Sequence, residues 1–198
     1  KVNFLQTEFA IYSDFEVQSI IFTPDSELRA ISEEAFYGSR IKSLTISSSV
    51  TQLEDNWYYN TNDVSKIKIQ PNNKHYISIY DKLIVNKSSP LKEQFDTLIF
   101  CVRIIKTIPI PSSIEIIESH SFENCVSIEK VLFESDSKLR IIKKYTFSNS
   151  SLKSIIIPST VTNLEEDGII PNNKILTTIY DGKIIVDKST GEKEDFDS

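Results

Sequence analysis

A six-residue phrase recurs along this chain: apolar, two polar, apolar, any residue, apolar. Its clearest copy is Leu152-Lys153-Ser154-Ile155-Ile156-Ile157, followed directly by Pro158. Residues 17–22, 41–46, 64–69, 105–110 and 128–133 fit the same template. The copies begin at 17, 41, 64, 105, 128 and 152, so the steps are 24, 23, 41, 23 and 24 residues. Regular self-similarity at such a spacing marks a solenoid of stacked coils, because one short repeat cannot bury its own apolar face. Four of the steps match a single coil of about 20–29 residues. The fifth requires an insertion.

A second motif follows each phrase: apolar, two residues, Ile or Leu, three residues, usually a small residue, usually an aromatic. It reads Leu28, Ile31, Ala35, Phe36; then Val50, Leu53, Trp57, Tyr58; then Ile114, Ile117, Ser121, Phe122. Leu139, Ile142, Thr146, Phe147 and Val161, Leu164, Gly168, Ile169 continue it. Each coil therefore has a strand side and a return side, both pointing apolar side chains inward. The return is expected to be extended or one short helical turn. Alternation at period two, as in Leu44-Thr45-Ile46, separates inward from outward residues on the strand side. Pro111 and Pro158 end their strands without forfeiting a needed N–H.

The insertion covers residues 70–104. It opens Pro71-Asn72-Asn73-Lys74, continues Tyr76-Ile77-Ser78-Ile79-Tyr80, breaks at Asp81-Lys82, and resumes Leu83-Ile84-Val85. A further apolar run is Leu98-Ile99-Phe100-Cys101-Val102. The block returns 100 residues later, from Pro171-Asn172-Asn173-Lys174 to Thr178-Ile179-Tyr180, Asp181-Gly182 and Ile184-Ile185-Val186. Asp-Gly between alternating runs signals a hairpin, so hairpins are expected at 75–86 and 175–187, projecting from or extending the solenoid. One domain then comprises a degenerate first coil at 1–16, repeats at 17–69, the insertion at 70–104, repeats at 105–170, a second hairpin at 171–187 and a fraying polar tail at 188–198.

Bulk properties exclude more than they select. A net charge of −6 argues against nucleic acid, and no apolar run is long enough to cross a bilayer. The chain opens at Lys1 without a methionine and reads as a fragment of a longer protein. Two cysteines make no disulfide framework; Cys101 and Cys125 lie about one repeat apart and read as buried thiols on adjacent coils. No zinc cluster, calcium loop, phosphate-binding loop or catalytic constellation is present, so neither cofactor nor enzymatic activity is expected. Sequons at Asn86 and Asn149 matter only for a secreted chain.

The strings Cys125-x-x-Ile128-x-x-Val131-x-Phe133 and Ile155-x-Ile157-Pro158-x-x-Val161-x-x-Leu164 resemble the BspA-like, or Treponema pallidum-type, leucine-rich repeats. The resemblance implies a β-rich α/β solenoid: a right-handed leucine-rich-repeat superhelix of about six coils of 23–24 residues with two inserted β-hairpins. It also implies an extracellular, cell-surface location and adhesion to host cells, matrix proteins or other microbes, with no catalytic motif to carry over. Proteins of this family occur on oral and gut bacteria and are expanded in parasitic protists. The Ile-, Lys- and Asn-rich composition fits a protistan copy better. The chain departs from the family at the glycine slot after the return-side Ile or Leu, here Ser32, Glu54, Glu118, Lys143 and Glu165. The cysteine slot holds Ser39, Thr61, Cys125 and Ser150.

The outward strand positions carry Lys42, Lys66, Lys68, Lys106, Lys130 and Lys153 among hydroxyls, with Glu129 the one acid. On an acidic chain this local reversal of sign is a candidate site for a sulfated or sialylated glycan or an acidic protein surface. The plain alternative is a solvated strand face with no ligand. Ile21, Leu132 and Ile156 fill the central outward slot, the last two on neighbouring strands. Trp57-Tyr58-Tyr59 is expected to pack in the core. Recognition of a host surface protein, matrix protein or anionic glycan, through the strand face or the hairpins, competes with a structural or antigenic spacer that binds nothing. An open solenoid end allows a homodimer.

Overall fold

The computed structural model describes residues 4–5, 17–23, 25–165, 177–180 and 183–186. Among these there are seventeen strands and no helix. In chain order they are β1 (Phe4–Leu5), β2 (Ser19–Ile21), β3 (Ala30–Ile31), β4 (Ser43–Ile46), β5 (Gln52–Leu53) and β6 (Lys66–Ile69). The insertion holds β7 (Ile77–Ile79), β8 (Leu83–Asn86) and β9 (Thr97–Cys101). Then come β10 (Thr107–Ile110), β11 (Ile116–Ile117), β12 (Lys130–Phe133), β13 (Ile141–Ile142), β14 (Ser154–Ile157) and β15 (Asn163–Leu164). The second hairpin is β16 (Thr177–Tyr180) and β17 (Lys183–Val186).

All six recurrent phrases end in a strand. β2, β4 and β6 form one parallel sheet in which Ser43 faces Lys66 and Thr45 faces Lys68. β10 and β12 form another, with Pro109 opposite Leu132. β14 pairs in parallel with β16, which turns back antiparallel onto β17. The expected alternation holds: Leu44, Ile46, Ile108, Ile110, Ile155 and Ile157 are buried while the residues between them face out.

The return side is built from two-residue strands, with β1, β3 and β5 in one sheet and β11, β13 and β15 in another that begins on the five-residue β9. No helical turn appears there, and the backbone shows why. Each of the four described return turns holds two left-handed residues four apart: Glu34 and Gly38, Asn56 and Asn60, His120 and Asn124, Tyr145 and Asn149. Positive φ cannot be continued into a right-handed helix. The α part of the expected class is therefore replaced by turns. The second residue of each pair is Gly or Asn, the types that enter this region at least cost. Small or polar inward positions between coils are occupied as the repeat requires: Ala35, Ser121 and Thr146 are fully buried, as are the slots at Ser39, Thr61, Cys125 and Ser150.

The insertion makes the hairpin β7–β8, but its turn is centred one residue earlier than the sequence suggests. Tyr80 and Asp81 both have positive φ, and Lys82 N donates to Ile79 O at 3.0 Å. That is a primed two-residue turn, whose twist matches its strands. The hairpin does not project. Leu83, Ile84 and Val85 are fully buried, and β8 continues antiparallel onto β9. Ile84, Phe100 and Val102 pack into the core of the first repeats, whereas Leu83, Val85, Leu98 and Cys101 pack into the core of the later ones. The two strands form a wall with a core on each side, which accounts for their continuous apolar sequence. The hairpin expected at 175–187 forms between β16 and β17, while its Asp181-Gly182 turn lies outside the described residues, as do most of 1–16 and all of the 188–198 tail.

Asp96 ties this wall to the next coil. Its carboxylate, buried, accepts from Ser88 N and Ser88 Oγ, both at 2.7 Å, from Thr97 Oγ1 at 3.0 Å, and from Lys92 Nζ. Its carbonyl oxygen accepts from Glu115 N at 2.8 Å and Ile116 N at 3.2 Å. Burial pushes the carboxyl up, but the hydrogen bonds from Lys92, Ser88 and Thr97 outweigh it and hold its pKa below the ordinary value. A depressed carboxylate contributes stability that is complete above the unfolded pKa of about 3.9 and is lost as pH falls through the folded value. Asp96→Asn is expected to cost about 1.5–3 kcal/mol at pH 7, a fall in Tm of roughly 3–12 °C for a chain of this size. Thermal melts should show the gap to the parent protein closing below pH ~4; a gap independent of pH would contradict the assignment.

Candidate binding face

All six lysines of the expected stripe are exposed on the strand side. They do not form one file. Ser43 opposite Lys66, and Thr107 opposite Lys130, show that the lysines alternate between neighbouring columns and make a band. Hydroxyls fill the intervening positions, as at Ser43, Thr45 and Ser154.

The band is not uniformly positive. Asp81, carried by the hairpin turn, lies 3.7 Å from Lys66 Nζ and 3.4 Å from Lys68 Nζ. The same turn docks on β6, where Ile67 N donates to Asp81 O at 2.9 Å. Lys106 reaches Glu129 at 3.6 Å, and Lys42 Nζ donates to Gln18 Oε1 at 3.3 Å. Lys130 and Lys153 have no acidic partner among the described residues. Exposed pairs such as these are worth about 0–1 kcal/mol, so they cancel charge more than they hold the fold. Asp81 was legible only as a turn residue; its place beside two lysines depends on where the hairpin folds back.

Three aromatic positions separate as burial demands. Trp57 and Tyr58 are buried as expected, but Tyr59, expected with them in the core, is exposed and stacks on Tyr37 at 5.7 Å between centroids. A cleft of about 530 Å³ opens on the return side, between Asn56–Tyr58 and Ser119–His120. Tyr58 Oη bridges it by donating to His120 O at 3.3 Å.

Arg103 was not singled out by sequence reasoning, yet it is among the largest fully buried side chains. Its guanidinium lies 4.7 Å from the centres of both the Tyr58 and Phe100 rings. Nη1 donates to Ser121 O at 3.3 Å and to Cys125 Sγ at 3.5 Å. Cys101 and Cys125 are both free and buried, as expected, and both thiols approach Val102 O, at 3.5 and 3.6 Å. Burial pushes the Cys101 thiol well up. It acts the same way on Cys125, but hydrogen bonding from Cys101 and the charge of Arg103 outweigh it and bring that thiol down to about 7. Of the two sequons, Asn149 is exposed, while the Asn86 amide oxygen is buried without a hydrogen-bond partner. Among the described residues no cluster of His, Cys, Asp and Glu is arranged to hold a metal.

Strand-and-return coils stacked in this register define a leucine-rich-repeat solenoid. The chain belongs to the BspA-type leucine-rich repeat family, whose model matches residues 7–93 and 93–179 in six copies. Its fold is similar to a leucine-rich repeat protein from Eubacterium ventriosum, with a TM-score of 0.60 and 21% identity over 82% of this chain. It is also similar to the pneumococcal vaccine antigen PcpA, with a TM-score of 0.57 and 21% identity over 80% of this chain. The matched region spans 44% of each of those proteins. Both are bacterial, and they lend no support to a protistan source for this chain. No curated protein matches it at a significant level.

Complete burial of the thiols makes a direct expectation. The native protein should show no fast reaction of Cys101 or Cys125 with Ellman's reagent, and both should react once guanidinium unfolds the chain. A fast thiol in the native protein would mean that the packing around Arg103 opens.

Proposed function

We propose that this chain is a recognition module of a cell-surface protein, adhering to a macromolecule of a host or neighbouring cell through its strand face. One observation carries the reading: six exposed lysines gather on one side of a chain whose net charge is −6. A local positive field of this kind steers acidic partners toward that face and speeds their encounter. The partner is a host surface protein, a matrix protein or an anionic glycan, and the mechanism is surface complementarity without chemistry. Surface display accords with the family and with a structural relative described as a vaccine antigen. The rival reading is a spacer that binds nothing, and it too has an observation in its favour: Lys66, Lys68 and Lys106 already face acids.

Binding to host epithelial cells, measured at several salt concentrations, separates the two. The parent protein should bind, weaken as salt screens the face, and lose at least tenfold on reversal of Lys42, Lys66, Lys106, Lys130 and Lys153 to Glu. Binding that survives both salt and charge reversal contradicts the strand face as the site. No binding by either protein favours the spacer.

A further inference from the structure

The strand side has a break. β10 and β12 are in register, and β14 pairs with β16, but no backbone hydrogen bond joins β12 to β14 among the described residues. A cleft of about 530 Å³ lies between those two strands. Its apolar lining is Val131, Leu132, Phe133, Ile155, Ile156 and Pro158, and Lys130, Glu134 and hydroxyl side chains complete the wall. Leu132 is 49% exposed and Ile156 69% exposed, and Pro109, in register with Leu132, extends the apolar ridge to a third strand. Single exposed apolar residues are ordinary on a protein surface. Two at the mouth of a cleft, on adjacent strands, make a receptacle.

Charge surrounds this receptacle unevenly. Lys130 is on one strand and Lys153 directly precedes the other, and these are the two lysines of the band that lack a partner among the described residues. The acid in the lining, Glu134, is held from the side of the preceding coil, where it accepts from Ser112 N at 2.8 Å. Glu129 is engaged with Lys106. The uncompensated positive charge thus coincides with the apolar cleft, not with the half of the face that Asp81 neutralises.

We propose that the cleft between β12 and β14 receives an apolar side chain presented by an acidic segment of a partner protein. A sulfated or sialylated sugar would satisfy Lys130 and Lys153 but offers little apolar surface to cover Leu132 and Ile156. An acidic segment with one apolar anchor does both, and an anchor seated in a pocket and rimmed by charge is where interface affinity concentrates. The inference rests on the strand-face reading and narrows its partner to a protein.

The test uses the whole chain with acidic heptapeptides whose central residue is Ala, Leu, Phe or Trp, followed by fluorescence anisotropy, with heparin as a parallel sulfated probe. Peptides centred on Leu, Phe or Trp are expected to bind at least tenfold more tightly than the Ala peptide. The paired variant Leu132→Ser, Ile156→Ser should erase that difference. The pair Lys130→Glu, Lys153→Glu should weaken every peptide. Circular dichroism confirms that each variant keeps its fold, which the exposure of all four positions favours. Equal binding of the Ala peptide, or a preference that survives loss of Leu132 and Ile156, overturns the inference. Lysine-dependent heparin binding without peptide binding overturns it while leaving the strand face as the site. Binding of neither probe overturns both.

Discussion

A coil of this size cannot close its own core, so every inward side chain depends on the coil above and below. That dependence fixes the chain's regularities. Branched residues recur at the inward strand positions because only a continuous column excludes water along the stack. Aromatic residues recur on the return side because they span the distance between the two sheets: Phe122 stacks on Phe147 at 4.9 Å, and Phe36 meets Trp57 edge-on at 6.0 Å. Each column also forbids slippage, since a shift of one residue would turn the buried set to solvent.

The long step between the third and fourth phrases tests this constraint, and the chain answers by filling the gap. β8 and β9 alternate their side chains between two cores, so neither set of repeats ends on a bare apolar face. Where β9 leaves the wall, Arg103 closes the seam. A buried cation is costly unless paired and hydrogen-bonded. Here two ring faces, a carbonyl oxygen and a sulfur surround the guanidinium, with no carboxylate among its described hydrogen bonds. The Arg103 charge in turn lowers the pKa of the Cys125 thiol beside it. The seam thus joins Tyr58 of the first repeats to Ser121 and Cys125 of the later ones through one side chain.

Much of this was legible in the sequence because the repeat is strong. The six phrases, the buried thiols, the burial of Trp57 and Tyr58 and the existence of both hairpins follow from periodicity and local turn chemistry. The left-handed pairs in the return turns were not seen, although Gly38, Asn60, Asn124 and Asn149 recur two residues after the aromatic and could have flagged them. Of their partners, Glu34 and Tyr145 carry no such signal, because neither side-chain type favours positive φ. Whether the hairpin projected from the solenoid or extended it was undecided, since an apolar run does not say what covers it. The pairing of Asp81 with Lys66 and Lys68, and the break between β12 and β14, depend on tertiary placement that a local pattern does not encode.

On the strand side, the same architecture that repeats its interior leaves its exterior free to vary. The first half of the face is charged and partly self-neutralised; the second half joins uncompensated lysines to an apolar cleft. Both halves are held in place only if the stack is continuous through the seam. The direct measurement is equilibrium unfolding in guanidinium, followed by the fluorescence of Trp57, on the first side of the wall, and by amide exchange in β12, on the other. A shared seam predicts coincident transitions. Two separated transitions, with β12 still protected after Trp57 is exposed or the reverse, would show that the wall divides the molecule instead of joining it.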